Sequence, residues 1–132
     1  MGLNIPYYGC DGWDGIIKQL NGDTKNIEGA TYLTPFVATD TSEKVQAFVN
    51  TYKEKYNAEP DQFAADGYDA VYAIKAAIEK AGDDTSNEAL VSAMTQISVN
   101  GLTGDMTFDE NGEPNKSAKV VVIKDGQYVA QN

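Results

Sequence analysis

Apolar and polar positions along this chain change period several times, and the changes divide it into elements. "IPYYGC" is an apolar, β-prone run ending beside glycine, which reads as a buried strand. In "DGWDGIIKQLNGD", Trp13, Ile16, Ile17 and Leu20 fall at i, i+3, i+4 and i+7. That is one helical face, with Gly22 where a C-terminal glycine belongs. The opening therefore predicts strand, tight turn and helix. "IEGATYLTPFV" predicts a second strand closed off near Pro35.

The next three segments carry helical periods. "DTSEKVQAFVNTYKEKYNAEP" places Val45, Phe48, Val49, Tyr52 and Tyr56 on one stripe, with Pro60 just beyond. Asp40 and Glu43 stand where a capping box would begin the helix. "DQFAADGYDAVYAIKAAIEKAG" predicts a longer, alanine-rich helix ending at Gly82. Gly67 inside it costs about 1 kcal/mol relative to alanine, so close packing or a ligand is expected there. "TSNEALVSAMTQI" repeats the start signal with Thr85 and Glu88 and is expected to bury Leu90, Ala93, Met94 and Ile97. Beyond "GLTGD" short β-prone runs alternate with turn residues. Asp125-Gly126 within "VVVIKDGQYVA" is a type I′ hairpin signal. The order gives an α/β protein whose strands are few for its helices.

Composition narrows the chemistry. The chain has 132 residues, 42% of them hydrophobic, enough for a packed core. Ten basic residues against 20 acidic give a net charge of −10, which repels nucleic-acid backbones and anionic lipid; no nucleic-acid partner is expected. The absence of histidine removes His-based triads and His–metal sites, and one cysteine cannot form an intrachain disulfide. Cys10 is expected to be a small buried hydrophobe. No apolar run approaches the roughly 20 residues that span a bilayer. "MGLNIPYYG" lacks the basic start and apolar stretch of a secretory signal, so a signal segment is expected to be absent from this chain.

Motifs for catalysis and metals are weak. "DGWDGIIKQLNGD" and "DENGEPNKS" mix Asp, Asn and Gly as calcium loops do, but neither has the ligand register or the terminal bidentate Glu, and "DENG" reads as a turn. "GCDG" and "GLTGD" match no nucleotide-binding fingerprint. No nucleophile–base pairing is visible, so no enzyme activity, cofactor or metal is expected. Binding remains. A turn at the carboxyl end of a strand is where open α/β sheets take small ligands, and Asp11 there suits an ammonium group, with Tyr7, Tyr8 and Trp13 as walls. The plainer alternative is that Asp11 or Asp14 caps the helix and Trp13 is core; spacing by itself favours it.

The series "IPYYGCDGWDG", "EGATYLTPF", "EPDQFAADGYDAVY" and "LTGDMTFDENGEPNKSAKVVVIKDGQYV" resembles, in order and over nearly the whole chain, the C-terminal part of type I periplasmic binding proteins. The nearest branch is the branched-chain amino-acid class of ABC-transporter substrate-binding proteins. The resemblance implies parts of two Rossmann-like lobes with the N-terminal half missing. Residues 1–36 would be a second-lobe portion, 37–117 a first-lobe portion and 118–132 a second-lobe hairpin. It implies capture of a small amino acid or related amide in an interlobe cleft and delivery to an ABC permease through the full-length parent, in an extracytoplasmic location. Asp11 would hold the ligand's ammonium, with Trp13, Phe63 and Tyr68 as walls. A ligand sensor in signalling and an assembly module without ligand are the alternatives. Unpaired sheet edges lead us to expect a homodimer, exchange of elements between copies being one route to it.

Overall fold

The computed structural model describes residues 5–131; the ends of the 1–36 and 118–132 segments, including the Met1-Gly2 start, lie outside the described residues. Contacts divide the chain into two compact units, residues 1–62 with 118–132, and residues 63–117.

The first unit is built on a four-stranded mixed sheet in the order β1-β2-β5-β6. Strands β1 (Tyr8–Gly9) and β2 (Thr31–Thr34) run parallel, with Tyr8 opposite Thr31 and Gly9 opposite Tyr32. Between them lies the short helix α1 (Ile16–Gln19). Strands β5 (Lys119–Lys124) and β6 (Gln127–Gln131) form the hairpin that Asp125-Gly126 predicts, both turn residues taking the positive φ of a type I′ turn, 51° and 73°. β5 pairs antiparallel with β2, so the end of the chain completes the sheet begun at its start. Tyr32, Val37 and Val121 form its buried cluster, with Trp13 and Tyr128 packed against it. Helix α2 (Glu43–Tyr56) belongs to this unit and buries Val45 and Val49; Phe48 and Tyr52 are half-buried and Tyr56 is exposed. Phe48 meets Phe36 edge-on at 6.0 Å.

The second unit follows α3 (Gln62–Ala81) from Phe63 onward, then α4 (Asn87–Met94) and the antiparallel pair β3 (Ser98–Asn100) and β4 (Asp105–Thr107). Its core joins Ala73 and Ala77 of α3 to Ala93, Ile97, Val99 and Met106, with Met94 half-buried at its margin. Leu90 is likewise half-buried. Alanine on the buried side of α3 lets neighbouring backbones come close. "DENG" is the expected turn, in which Asp109 Oδ1 accepts the N–H groups of Asn111 and Glu113 at 2.9 and 2.8 Å.

Several local expectations need correction. Trp13, Ile16, Ile17 and Leu20 do not share one helix. Gly15 adopts a left-handed φ of 81°, which separates a 3-10 turn at Asp11–Trp13 from α1 and resets the register, leaving Leu20 exposed. The caps of α2 and α4 are Ser42 and Ser86, in place of Asp40 and Thr85. In both cases an aspartate two residues earlier, Asp40 or Asp84, accepts the serine N–H in its own turn, at 2.8 and 3.0 Å, and postpones the first helical residue. Cys10 is exposed, because it follows the edge strand β1 at the mouth of the 3-10 turn. At Gly67 an added Cβ would meet nothing within 4 Å, so close packing among the described residues does not explain that glycine.

Candidate functional site

The chain leaves the carboxyl end of β1 at Gly9 and turns sharply. Trp13 donates its N–H to Cys10 O at 3.0 Å, and Asp14 donates to Asp11 O at 2.9 Å, closing the 3-10 turn. The Trp13 ring lies directly over Gly9; a Cβ there would stand 2.5 Å from the indole, so only glycine admits the ring. Trp13 is half-buried and joins the Tyr32–Val121 cluster. With the indole packed inward, the two preceding residues, Asp11 and Gly12, are exposed.

The two aspartates of this elbow have different surroundings. Asp11 is exposed, and among the described residues no group hydrogen-bonds its carboxylate. Asp14 is half-buried and engaged: Tyr32 donates its hydroxyl to Oδ1 at 3.1 Å, and Gln62 donates its backbone N–H to Oδ2 at 2.5 Å. Burial pushes the Asp14 carboxyl above the ordinary aspartate value, against the lowering pull of those two donors. Burial and then the adjoining carboxylate push the Tyr32 phenol up. Tyr128 stands edge-on to Tyr32, 6.1 Å between ring centres, and its hydroxyl accepts the Ile17 N–H at 3.0 Å. Neither aspartate caps α1, whose N-cap is Gly15 without a side-chain bond; Asp14 instead binds the first residue of α3, and Asp11 is exposed.

Beside this network the first unit carries a groove of about 880 Å³, walled by Tyr32, Phe36, Val37, Pro60 and Tyr128 with Asp14 among them. Asp11 is not one of its walls. Thr34, two residues before Phe36, is buried and donates its hydroxyl to Gln62 Oε1 at 2.8 Å. Sequence reasoning passed over Tyr32, Thr34, Gln62 and Tyr128. For Tyr32, Thr34 and Tyr128 the local signal was their polarity within apolar runs; Gln62, after Pro60 and Asp61, carried none.

Of the other candidates, Phe63 and Tyr68 lie in the second unit, on α3, and both are exposed. Tyr68 stacks on Tyr72 at 4.8 Å and donates its hydroxyl to the Tyr72 oxygen at 3.2 Å, which raises its pKa. The structure thus brings Asp11 and Trp13 onto one turn and places Phe63 and Tyr68 on successive turns of one helix. Among the described residues, no three acidic or cysteine side chains converge as a metal site, and no helix is long and apolar enough to cross a membrane.

A family model described as "periplasmic binding protein" matches residues 1–127. The leucine binding protein LivK from Thermotoga maritima is 31% identical with a TM-score of 0.83; the match covers 99% of this chain and 37% of that one. The branched-chain amino acid substrate binding protein LivJ from Streptococcus pneumoniae, solved with isoleucine, is 27% identical with a TM-score of 0.80, over 99% and 38%. A solute binding protein from R. palustris, solved with benzoate, is 25% identical with a TM-score of 0.80, over 97% and 35%. The chain thus spans little more than a third of the length of these solved relatives.

Proposed function

We propose a function from one premise: this chain belongs to the periplasmic binding protein family. Its fold is a mixed α/β portion of the type I binding-protein fold, and its relatives are substrate-binding components of ABC transporters. In our reading the chain is the part of such a protein that takes a small amino acid or related amide, by binding and without catalysis. The whole protein then hands its cargo to an ABC permease outside the cytoplasm. The lobe assignment made from the resemblance, residues 1–36 and 118–132 against 37–117, is part of this proposal.

One observation carries the reading. Asp11 offers an exposed, unengaged carboxylate at the carboxyl end of a strand, while the carboxylate three residues on is occupied internally. Such a group suits an ammonium, and the leucine and isoleucine named for the relatives supply one. Trp13, Phe63 and Tyr68 serve as apolar walls in this reading. The benzoate relative supports a second one, an aromatic carboxylate, for which Asp11 would be unfavourable.

Calorimetric titration with leucine, isoleucine, valine and benzoate tests both. Saturable amino-acid binding that Asp11→Asn weakens at least tenfold supports the first reading. Binding of benzoate alone, or amino-acid binding indifferent to Asp11→Asn, overturns it.

A further inference from the structure

The elbow over residues 10–15 carries Asp11 between β1 and α1, and one 3-10 turn is its only regular structure. Such a turn is a weak support, since its hydrogen-bond geometry is poorer than that of an α-helix. What steadies it arrives from distant parts of the chain through Asp14. That carboxylate accepts the Tyr32 hydroxyl from β2 and the Gln62 backbone N–H from the start of α3. Tyr32 and Gln62 are 2% and 1% exposed, so both donors are fixed by their surroundings. The backbone N–H of Asp14 in turn donates to Asp11 O at 2.9 Å. A continuous connection thus runs from the sheet and the helix start, through Asp14, to the backbone of Asp11. All four residues belong to the first unit.

We propose that Asp14 is a positioning residue for the ligand site: without touching the ligand, it sets the affinity for an ammonium by holding the backbone from which the Asp11 carboxylate projects. The inference rests on the reading of Asp11 given above. Among the described residues no group hydrogen-bonds the Asp11 carboxylate, so its placement depends on the main chain. The neighbouring glycines give that main chain no stiffness of their own. Gly12 is exposed with open space around it, and Gly15 takes a left-handed φ of 81°. A carboxylate whose backbone is already fixed gains most from an ammonium, because little ordering is then subtracted from the affinity.

The role requires the hydrogen bonds of Asp14 and not its charge. An asparagine in its place can accept the Gln62 N–H with its oxygen and donate its amide to the Tyr32 oxygen, since a tyrosine hydroxyl serves as donor and acceptor. Alanine can do neither. The conservative and the truncating variants therefore separate positioning from a charge effect at the ligand.

Two measurements on the full chain test the proposal, with leucine as the probe. In calorimetric titration Asp14→Ala weakens leucine binding about tenfold, under conditions where urea denaturation finds it folded, and Asp14→Asn recovers most of the loss. Adding Asp14→Ala to Asp11→Asn costs no further affinity, because the group being positioned is already gone; a merely structural role gives additive losses. Hydrogen exchange without ligand is the second measurement. The Trp13 and Asp14 amides, which close the 3-10 turn, exchange faster in Asp14→Ala but not in Asp14→Asn or Asp11→Asn. Unchanged exchange, additive losses, or full leucine affinity in Asp14→Ala beside a loss in Asp11→Asn overturns the positioning role and leaves the reading of Asp11 standing. Leucine binding that is absent, or indifferent to Asp11→Asn, overturns that reading and this inference with it.

Discussion

The carboxylate of Asp14 accepts the backbone N–H of Gln62 at 2.5 Å, across 48 residues of sequence. Gln62 is the first residue of α3, so its N–H has no partner within the helix, and an acidic group at this end also favours the helix dipole. The bond ties the elbow after β1 to the start of the longest helix. It also leaves Asp11 as the unengaged acid of the pair.

Asp14→Ala is expected to lower stability by about 2–3 kcal/mol, because the Gln62 N–H and the Tyr32 hydroxyl lose their shared acceptor in a half-buried site. Asp11→Ala should change stability by less than about 0.5 kcal/mol. Urea denaturation of the two variants side by side checks the division of roles; equal losses would contradict it.

The Asp69 carboxylate is buried and accepts three hydrogen bonds: the N–H groups of Leu102 and Thr103 at 2.8 Å each, and the Thr103 hydroxyl at 2.7 Å. Asp69→Ala should cost roughly 3 kcal/mol or more, since three donors lose a buried charged acceptor. Gly101→Ala acts on the same contact, because its Cβ would stand 2.5 Å from Asp69 Oδ2. Hydrogen exchange should report faster opening of the Leu102 and Thr103 amides in both variants.

Trp13 is the single tryptophan, and Gly9 lies beneath its ring. Gly9→Ala should force the indole outward, shift its fluorescence to the red and destabilise the protein by about 1–3 kcal/mol, as overpacking does. An unshifted emission spectrum in a folded variant would contradict the placement of the ring.

Asp40 pairs with Lys119 and accepts the Ser42 N–H, and the lysine's hydrogen bond is the main reason its pKa is lowered to about 2. An acid depressed in the folded state contributes stability that is present above its ordinary value near 3.8 and is lost as pH falls through about 2. For a pair this open to solvent the contribution is about 1 kcal/mol. Asp14 acts with the opposite sign: its raised folded value favours the protonated form, so its contribution declines as pH rises through that value. Thermal melts between pH 2 and 5 should steepen in wild type and flatten in Asp40→Asn.

Local pattern carried much of the fold. The stripes through Val45 and Val49 and the run from Gln62 to Gly82 located α2 and α3, since a helix expresses its period within a few residues. Asp125-Gly126 located the hairpin, because a type I′ turn demands two positive φ values from residues that tolerate them. Helix starts were displaced by aspartates forming turns of their own ahead of the serine caps, a competition settled by backbone geometry. The family was legible too, from short motifs in a characteristic order.

The sequence by itself thus determined the three longer helices α2, α3 and α4, the hairpin and the kinship, all of which depend on residues near one another along the chain. Tertiary structure decided which acid of "CDGWD" is free. Tyr32 and Gln62 reach Asp14 from 18 and 48 residues away, and no local period encodes their arrival. It also decided which side of α3 is buried here: Ala73 and Ala77 join the core of the second unit. Helical periodicity says that a face is apolar, but only the neighbours brought by the whole chain determine whether that face is covered.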